Sequence, residues 1–296
     1  MMKHMLCEIQ LIQAKDIPFV INLARNEGFA PGVGDVNIYA NTDLQGVWIS
    51  RLGSNSIGCI AGIKYNLDYG FIGLYVVDRP YRGKGYGTQL WERALSHLDN
   101  VKCIGLEAAP SLVGQYKKWG FQEDSITTRW QLLNLLPGCS RKIPESSYDL
   151  EVVSSLNISV DAIQKYDVVH EISPRPHFLS QWLNHPAGDV FSAVDTAGSC
   201  HGYLRIRPCL LLIGEGWRIG PLLAQDQRVA LLLLNSIFSS YHGVILIDSP
   251  GHNRSATALL KSCGFKEISS TTRMYRGKIA NRHDADIFGL ACLELG

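Results

Sequence analysis

Polar and apolar positions alternate along CEIQLI (7–12), the pattern of a half-buried strand. Asp16 then stands where a helix N-cap would, with Pro18 in the first turn, and predicts a helix to about Asn26. GVWISRL (46–52) and SIGCIAGIKY (56–65) flank Gly53-Ser54-Asn55 and predict a hairpin. FIGLYVV (71–77) is a nearly unbroken apolar run, as expected of a central strand covered on both faces. A glycine-rich turn and a helix over about 85–98 follow, then a strand at 103–108, a helix at 111–119 and a strand at 125–133.

The plan then recurs. Helices are expected at 161–170 and 176–184, and strands at 189–195, 200–207 and 210–219. A helix at 226–240, the strand GVILID (243–248), a helix from Asn253 to Cys263 and a strand from Lys266 complete it. GFQEDSITTR (120–129) and GFKEISSTTR (264–273) coincide in Gly, Phe, Glu, Thr, Thr and Arg at an offset of 144 residues, which points to a duplication. LPGCSRKIPESSYD (136–149), with two prolines, a glycine and three serines, reads as the linker. The expected organisation is a first domain at 1–135, a linker at 136–150 and a second domain at 151–296, each an α/β (α+β) sandwich. The apolar tail IFGLACLELG (287–296) has the character of a docked strand.

A length of 296 residues fits two domains, and 46% hydrophobic with 19% charged residues supports a sizeable core. The formal net charge of +1 argues against nucleic acid as the main partner. The longest apolar stretch, 229–238, is interrupted by Asn235 and Ser236, far short of the roughly 20 residues of a membrane span. The N-terminus has no signal-peptide core, and the eight cysteines form no CxxC pair. A soluble cytoplasmic protein with no membrane partner is expected. His170, His177 and His185 have no partner at metal-ligand spacing, so no metal is expected.

The chemistry sits in FIGLYVVDRPYRGKGYGTQLWERAL (71–95), a buried strand, a glycine-rich loop and a helix. Amides at a helix start carry partial positive charge, and Arg82 and Lys84 add formal charge, so the loop suits phosphate. The P-loop pattern fails because Gly-Lys is followed by Gly85, and GxGxxG fails at Leu90 or Thr88. Arg82-Gly83-Lys84-Gly85-Tyr86-Gly87 does fit RxxGxG, and Tyr116-Lys117-Lys118-Trp119-Gly120-Phe121 supplies a later Tyr-x-x-x-Gly-Phe.

On these residues the chain resembles the GCN5-related N-acetyltransferases (GNAT), and NEGFAPGVGDVNIY (26–39) with the C-terminal half resembles a subgroup carrying two such domains in tandem. The resemblance implies two acyl-CoA N-acyltransferase folds, each a mixed central sheet flanked by helices. It implies acetyl-coenzyme A as co-substrate and direct transfer to a primary amine, with no metal. The backbone near Val76 and Val77 would hold the pantetheine arm. Amides of Gly83, Lys84, Gly85, Tyr86, Gly87 and Thr88, with Arg82, would hold the diphosphate. Tyr116 would protonate the leaving thiolate, since thiol and phenol pKa values of about 8.5 and about 10 are close. Glu27, Asp35 and Glu107 are candidates for the base, Glu27 chief among them. The near-neutral charge favours a small-molecule amine as acceptor, and the joined halves favour a monomer. A coenzyme A-binding sensor or scaffold without turnover is the alternative.

Two departures stand out. Ala109 occupies the place of the family's usual asparagine, and Arg79 that of its usual proline. In the second half Asn253 is present, Leu260 stands in place of the tyrosine, and GPLLAQDQRV (220–229) has one glycine, with Asp226 matching Arg82 at the 144 offset. A carboxylate there repels diphosphate, so this half is expected to keep the fold without the cofactor.

Overall fold

A computed structural model describes residues 7–133, 149–154, 159–278 and 284–296. Residues 136–148 of the expected linker lie outside the described residues. The first half gives β1 (Glu8–Leu11), α1 (Ile17–Asn26), α2 (Asp35–Thr42), β2 (Val47–Leu52), β3 (Asn55–Lys64), β4 (Tyr69–Val77), α3 (Tyr86–His97), β5 (Cys103–Ala108), α4 (Val113–Lys117) and β6 (Gln122–Leu133). The second gives β7 (Glu151–Ser154), α5 (Val160–His170), α6 (Pro176–Asn184), β8 (Asp189–Val194), β9 (Cys200–Leu210), β10 (Glu215–Ala224), α7 (Gln227–Phe238), β11 (Val244–Pro250), α8 (Arg254–Ser262), β12 (Lys266–Gly277) and β13 (Ile287–Gly289).

Four features depart from the sequence pattern. The helix expected over 111–119 is a 3-10 turn, Pro110–Leu112, followed by the short α4. It ends there because Gly120 takes φ +84° and the Phe121 N–H returns to the Tyr116 carbonyl at 3.2 Å, a Schellman-type closure. The β9–β10 turn falls after Leu210 rather than at 208–209. Pro208 is tolerated inside β9 because β8 pairs only as far as Ile206, so no neighbouring strand needs its missing N–H. Helix α2 has no clear apolar stripe and starts from a left-handed Gly34, and neither it nor β7 shows in the pattern.

The described strands make one sheet in the order β1-β2-β3-β4-β5-β12-β6-β11-β10-β9-β8-β7, with β13 against β10. The order is a palindrome about the β12–β6 pair. Each half sends its last strand into the other: β12 pairs antiparallel with β5, and β6 with β11. The repeated Thr-Thr-Arg segments lie on these exchanged strands. Arg129 reaches Asp248 of the second half at 2.7 and 3.0 Å, and Arg273 reaches Glu107 of the first at 2.6 Å. The repeat is therefore a pair of pseudo-symmetric braces, each joining a guanidinium of one half to a carboxylate of the other.

The core is shared as well. Phe178 and Trp182 of α6 are fully buried among Val36, Ile38, Tyr39 and Leu74 of the first half. Each contributes roughly 1.5–3 kcal/mol of apolar burial. Helix α3 covers the opposite face of that half through Leu90, Trp91 and Ala94, and α7 and α8 cover the second.

Candidate active site

Strands β4 and β5 run parallel and hydrogen-bonded only from Tyr69 and Cys103 to Ile72 and Leu106. Beyond Ile72 they part. A bulge against β3 places Leu74 and Tyr75 opposite a single residue, and Leu74 takes φ +46°, which re-aims the strand. From Gly73 to Val77 the β5-facing edge of β4 is therefore open.

The loop after β4 leads into α3 with Gly83 at φ +74° and Gly85 at φ +85°, backbone angles that favour glycine. Gly85 is the N-cap and no side chain caps the helix, so the amides of Tyr86, Gly87 and Thr88 lack the usual intrahelical or side-chain acceptor. A Cβ on Gly87 would lie 2.6 Å from the Tyr75 hydroxyl, so glycine is what lets that phenol reach the helix start. Arg82 donates through Nε to the Val77 carbonyl at 2.7 Å and pairs with Glu27 at 2.8 Å. Lys84 is exposed and donates to the Pro80 carbonyl at 2.8 Å. The Tyr86 side chain is buried, so only its backbone faces the loop.

Two cavities open along this edge. The outer, about 480 Å³, is lined by Val76, Val77, Arg82, Gly83 and Gly87. The inner, about 240 Å³, is lined by Tyr116, Glu107, Arg129 and Trp91 from the first half, and by Ser269, Ser270, Thr271 and Leu293 from the second. Glu27, Phe29, Tyr75, Ala109 and Leu112 border both, which joins them into one groove from the loop to the interior. The uncapped helix start, the open strand edge and the groove between them fit a long anionic thioester cofactor whose diphosphate rests at the loop and whose acyl end lies inside.

Tyr116 is 7% exposed and packs on Trp91 with ring centroids 5.0 Å apart. Burial raises its phenol well above the ordinary tyrosine range, so it stays protonated at neutral pH. Tyr75, which the sequence reading did not single out, faces the same space with its phenol pushed up to about 12 by burial. The signal for it was only its position next to Val76 at the strand's open end. Partial burial works against ionisation of Glu27, but hydrogen bonds from Arg82 and Arg79 outweigh it and hold the carboxyl below the ordinary range. Glu107 accepts from Thr127 at 2.8 Å, Thr271 at 2.6 Å and Arg273 at 2.6 Å, a full set of partners. Asp35 is fully buried on Arg207 at 2.8 and 2.9 Å and does not line either cavity. Arg129 of β6 and Arg218 of β10 also fix the loop at 28–30 that follows Glu27. Arg129 donates to the Gly28 and Phe29 carbonyls at 3.0 and 3.2 Å, and Arg218 to Phe29 and Ala30 at 3.3 and 3.2 Å.

The equivalent groove of the second half is filled by the chain itself. Strands β10 and β11 also part, after Ile219 and Ile247, but β13 lies in the gap and pairs with Leu222 and Leu223. Asn253 holds that segment by donating to the Ala285 and Ile287 carbonyls at 2.8 and 3.0 Å. Asp226 is the N-cap of α7 and accepts from the Arg228 and Val229 amides at 2.8 and 2.9 Å. It thus stands at the counterpart of Gly85, not of Arg82 as the 144 offset suggested, because the loop is shorter relative to the flanking elements. A helix start whose second and third amides are held by its own carboxylate is closed to an anion both by occupancy and by charge.

Among the described residues no helix is long and apolar enough to cross a membrane, and no cluster of three metal-ligating side chains is found. Two family models match: acetyltransferase (GNAT) family over residues 23–121 and acetyltransferase (GNAT) domain over residues 163–289. The chain is 29% identical to the holothin acyltransferase of Pseudoalteromonas sp. (strain SANK 73390) over 267 residues, 90% of this chain and 86% of the relative. Among solved structures it is similar to a Pyrococcus horikoshii protein classed as an acetyltransferase, with TM-score 0.79, 21% identity and coverage of 98% and 96% of the two chains. It is also similar to a tandem GNAT protein from the clavulanic acid biosynthesis pathway, with TM-score 0.63, 14% identity and coverage of 91% and 98%. The chain belongs to the GNAT acyltransferase family and carries two GNAT domains in tandem.

Proposed function

We propose that the protein transfers an acetyl group from acetyl-coenzyme A to the primary amine of a small molecule, with the first half catalytic and the second a structural partner. The observation that carries this reading is the single groove from the uncapped start of α3, along the open edge of β4, to Tyr116. Acetyl-coenzyme A would supply the activated thioester, and coenzyme A thiol would leave as the amine takes the acetyl group. Amides of Tyr86 to Thr88, with Arg82, hold its diphosphate, and the open backbone at Tyr75 to Val77 orients the arm and polarises the thioester carbonyl. Tyr116 holds the proton that the thiolate needs as it leaves. Burial makes the phenol a weaker acid, and the same dry surroundings also disfavour a free thiolate, which narrows the gap the proton has to cross.

The inner cavity supports a small acceptor. At about 240 Å³ it equals about eight waters at roughly 30 Å³ each. Its wall mixes Phe29, Leu106, Leu112 and Leu293 with the hydroxyls of Ser269, Ser270 and Thr271, which suits a compact amine with an apolar body. One relative is named for acylating holothin. A polymer acceptor would enter only by its tip.

Calorimetric titration with acetyl-coenzyme A tests the cofactor half of this reading. One site per chain is expected, because β13 and Asp226 occupy the second half's counterpart. Arg82→Ala should weaken binding by about tenfold, the worth of one charge-assisted contact. Two sites would overturn the assignment of the second half. No binding at millimolar cofactor would overturn the acyltransferase reading. Binding without thiol release for any amine would leave a sensor.

A further inference from the structure

We infer that Glu27 is a positioning residue shared in turn between the cofactor loop and the acceptor: it holds Arg82 while the groove is empty, and it is freed toward the acceptor's ammonium when a diphosphate draws Arg82 away. The inference rests on the acyltransferase reading above.

Glu27 follows directly on α1 and borders both the outer and the inner cavity. Arg79 Nε at 3.0 Å and Arg82 Nη2 at 2.8 Å converge on the same oxygen, Oε1. Among the described residues Oε2 accepts no side-chain hydrogen bond. The two arginines are not equivalent. Arg82 is anchored through Nε to the Val77 carbonyl, at the loop that leads into the uncapped end of α3. Its remaining N–H groups are the ones that both Glu27 and a diphosphate at that helix start must compete for. Arg79 lies outside RxxGxG, and its guanidinium is largely exposed, at 73%. It can keep Glu27 in place after Arg82 has turned to the diphosphate.

Two anions competing for one guanidinium oppose each other, and the opposition has a direction. Glu27 must weaken cofactor binding in the empty protein. A bound cofactor, by taking Arg82, must leave Glu27 with less neutralisation and a stronger pull on a cation in the inner cavity. By linkage, acceptor and cofactor then bind with positive coupling. Arg79, which replaces the family's usual proline, acquires a role as the tether that keeps the released carboxylate from leaving the groove.

The test is coenzyme A affinity by calorimetry in four proteins: wild type, Glu27→Gln, Arg82→Ala and the double variant. Glu27→Gln should tighten coenzyme A by about two- to fivefold, since the half-exposed ion pair that holds Arg82 away from the diphosphate is removed. The gain should vanish in the Arg82→Ala background. The same Glu27→Gln protein should show a raised KM for the amine. A loss of structure alone would weaken cofactor binding, not tighten it. Unchanged or weaker coenzyme A binding in Glu27→Gln, or an equal gain with Arg82 absent, overturns the inference while leaving the acyltransferase reading intact. Failure of the wild type to bind coenzyme A removes both.

Discussion

Tyr116→Phe should lower turnover by about 100-fold or more while leaving the dissociation constant of acetyl-coenzyme A within about twofold. The magnitude is that of losing a positioned general acid. The separation of the two effects follows from the geometry. Tyr116 lines only the inner cavity, whereas the diphosphate loop and the open β4 edge border the outer one. Its ring is fixed by Trp91 and by Phe121, with centroids 5.0 and 6.4 Å away, so phenylalanine keeps the packing and loses only the hydroxyl. Steady-state rates and calorimetry on the same preparation check both. The control is Tyr75→Phe, because Tyr75 faces the same space. A Tyr116→Phe enzyme at full rate, with Tyr75→Phe slow, would move the proton to Tyr75.

The second large effect is on stability. Asp248→Ala should cost about 3–5 kcal/mol, a large share of what holds a domain folded. Asp248 is buried and accepts from Arg129 at 2.7 and 3.0 Å and from Arg218 at 2.9 Å. Its removal strands Arg129 between the halves and leaves Arg218 with Glu294 as its carboxylate partner. A lowered urea midpoint would report the loss. Burial opposes the ionisation of Asp248, but the two guanidiniums outweigh it and hold its carboxyl below the ordinary range. A carboxylate so depressed stabilises the fold above the unfolded-state pKa of about 3.9, and that contribution fades as pH falls through the folded value. The gap between wild type and Asp248→Ala should therefore be full at neutral pH and narrow below about pH 4. An equal gap at acid pH would show that the carboxylate's charge is not what matters.

Much of this was legible in the sequence. The buried run 71–77, the glycine loop and the helix after it occur where the pattern places them, because each is set by local periodicity and turn chemistry. The duplication was legible from Thr-Thr-Arg at 127–129 and 271–273. What that repeat does was not. Alternation says that residues 266–277 form a strand, but β5 and β11 are equally apolar neighbours, and nothing local says which one the strand joins. The ion pairs of Arg129 and Arg273 are long-range facts of the same kind. The tail had the look of a docked strand, but its berth between β10 and β11 depends on where those two part. Asp226 was misregistered because an offset taken from the ends of two repeats fails across loops of different length.

The strand exchange also sets a timetable for the chain during synthesis. Residues 7–121 can begin to gather around their own helices as they emerge, but one face of their core waits for Phe178 and Trp182, and β5 has no neighbour on its outer side until residue 266 and beyond are made. The wall of the inner cavity waits for the same stretch, since Ser269 to Thr271 and Leu293 all come from it. Activity is thus withheld from any chain interrupted before that point, however well its cofactor loop is formed. In the interval the nascent protein presents two open strand edges, β5 and β6, and a second nascent copy offers matching ones. Polysome crowding is then a hazard that a sheet completed within one short stretch of sequence would not meet.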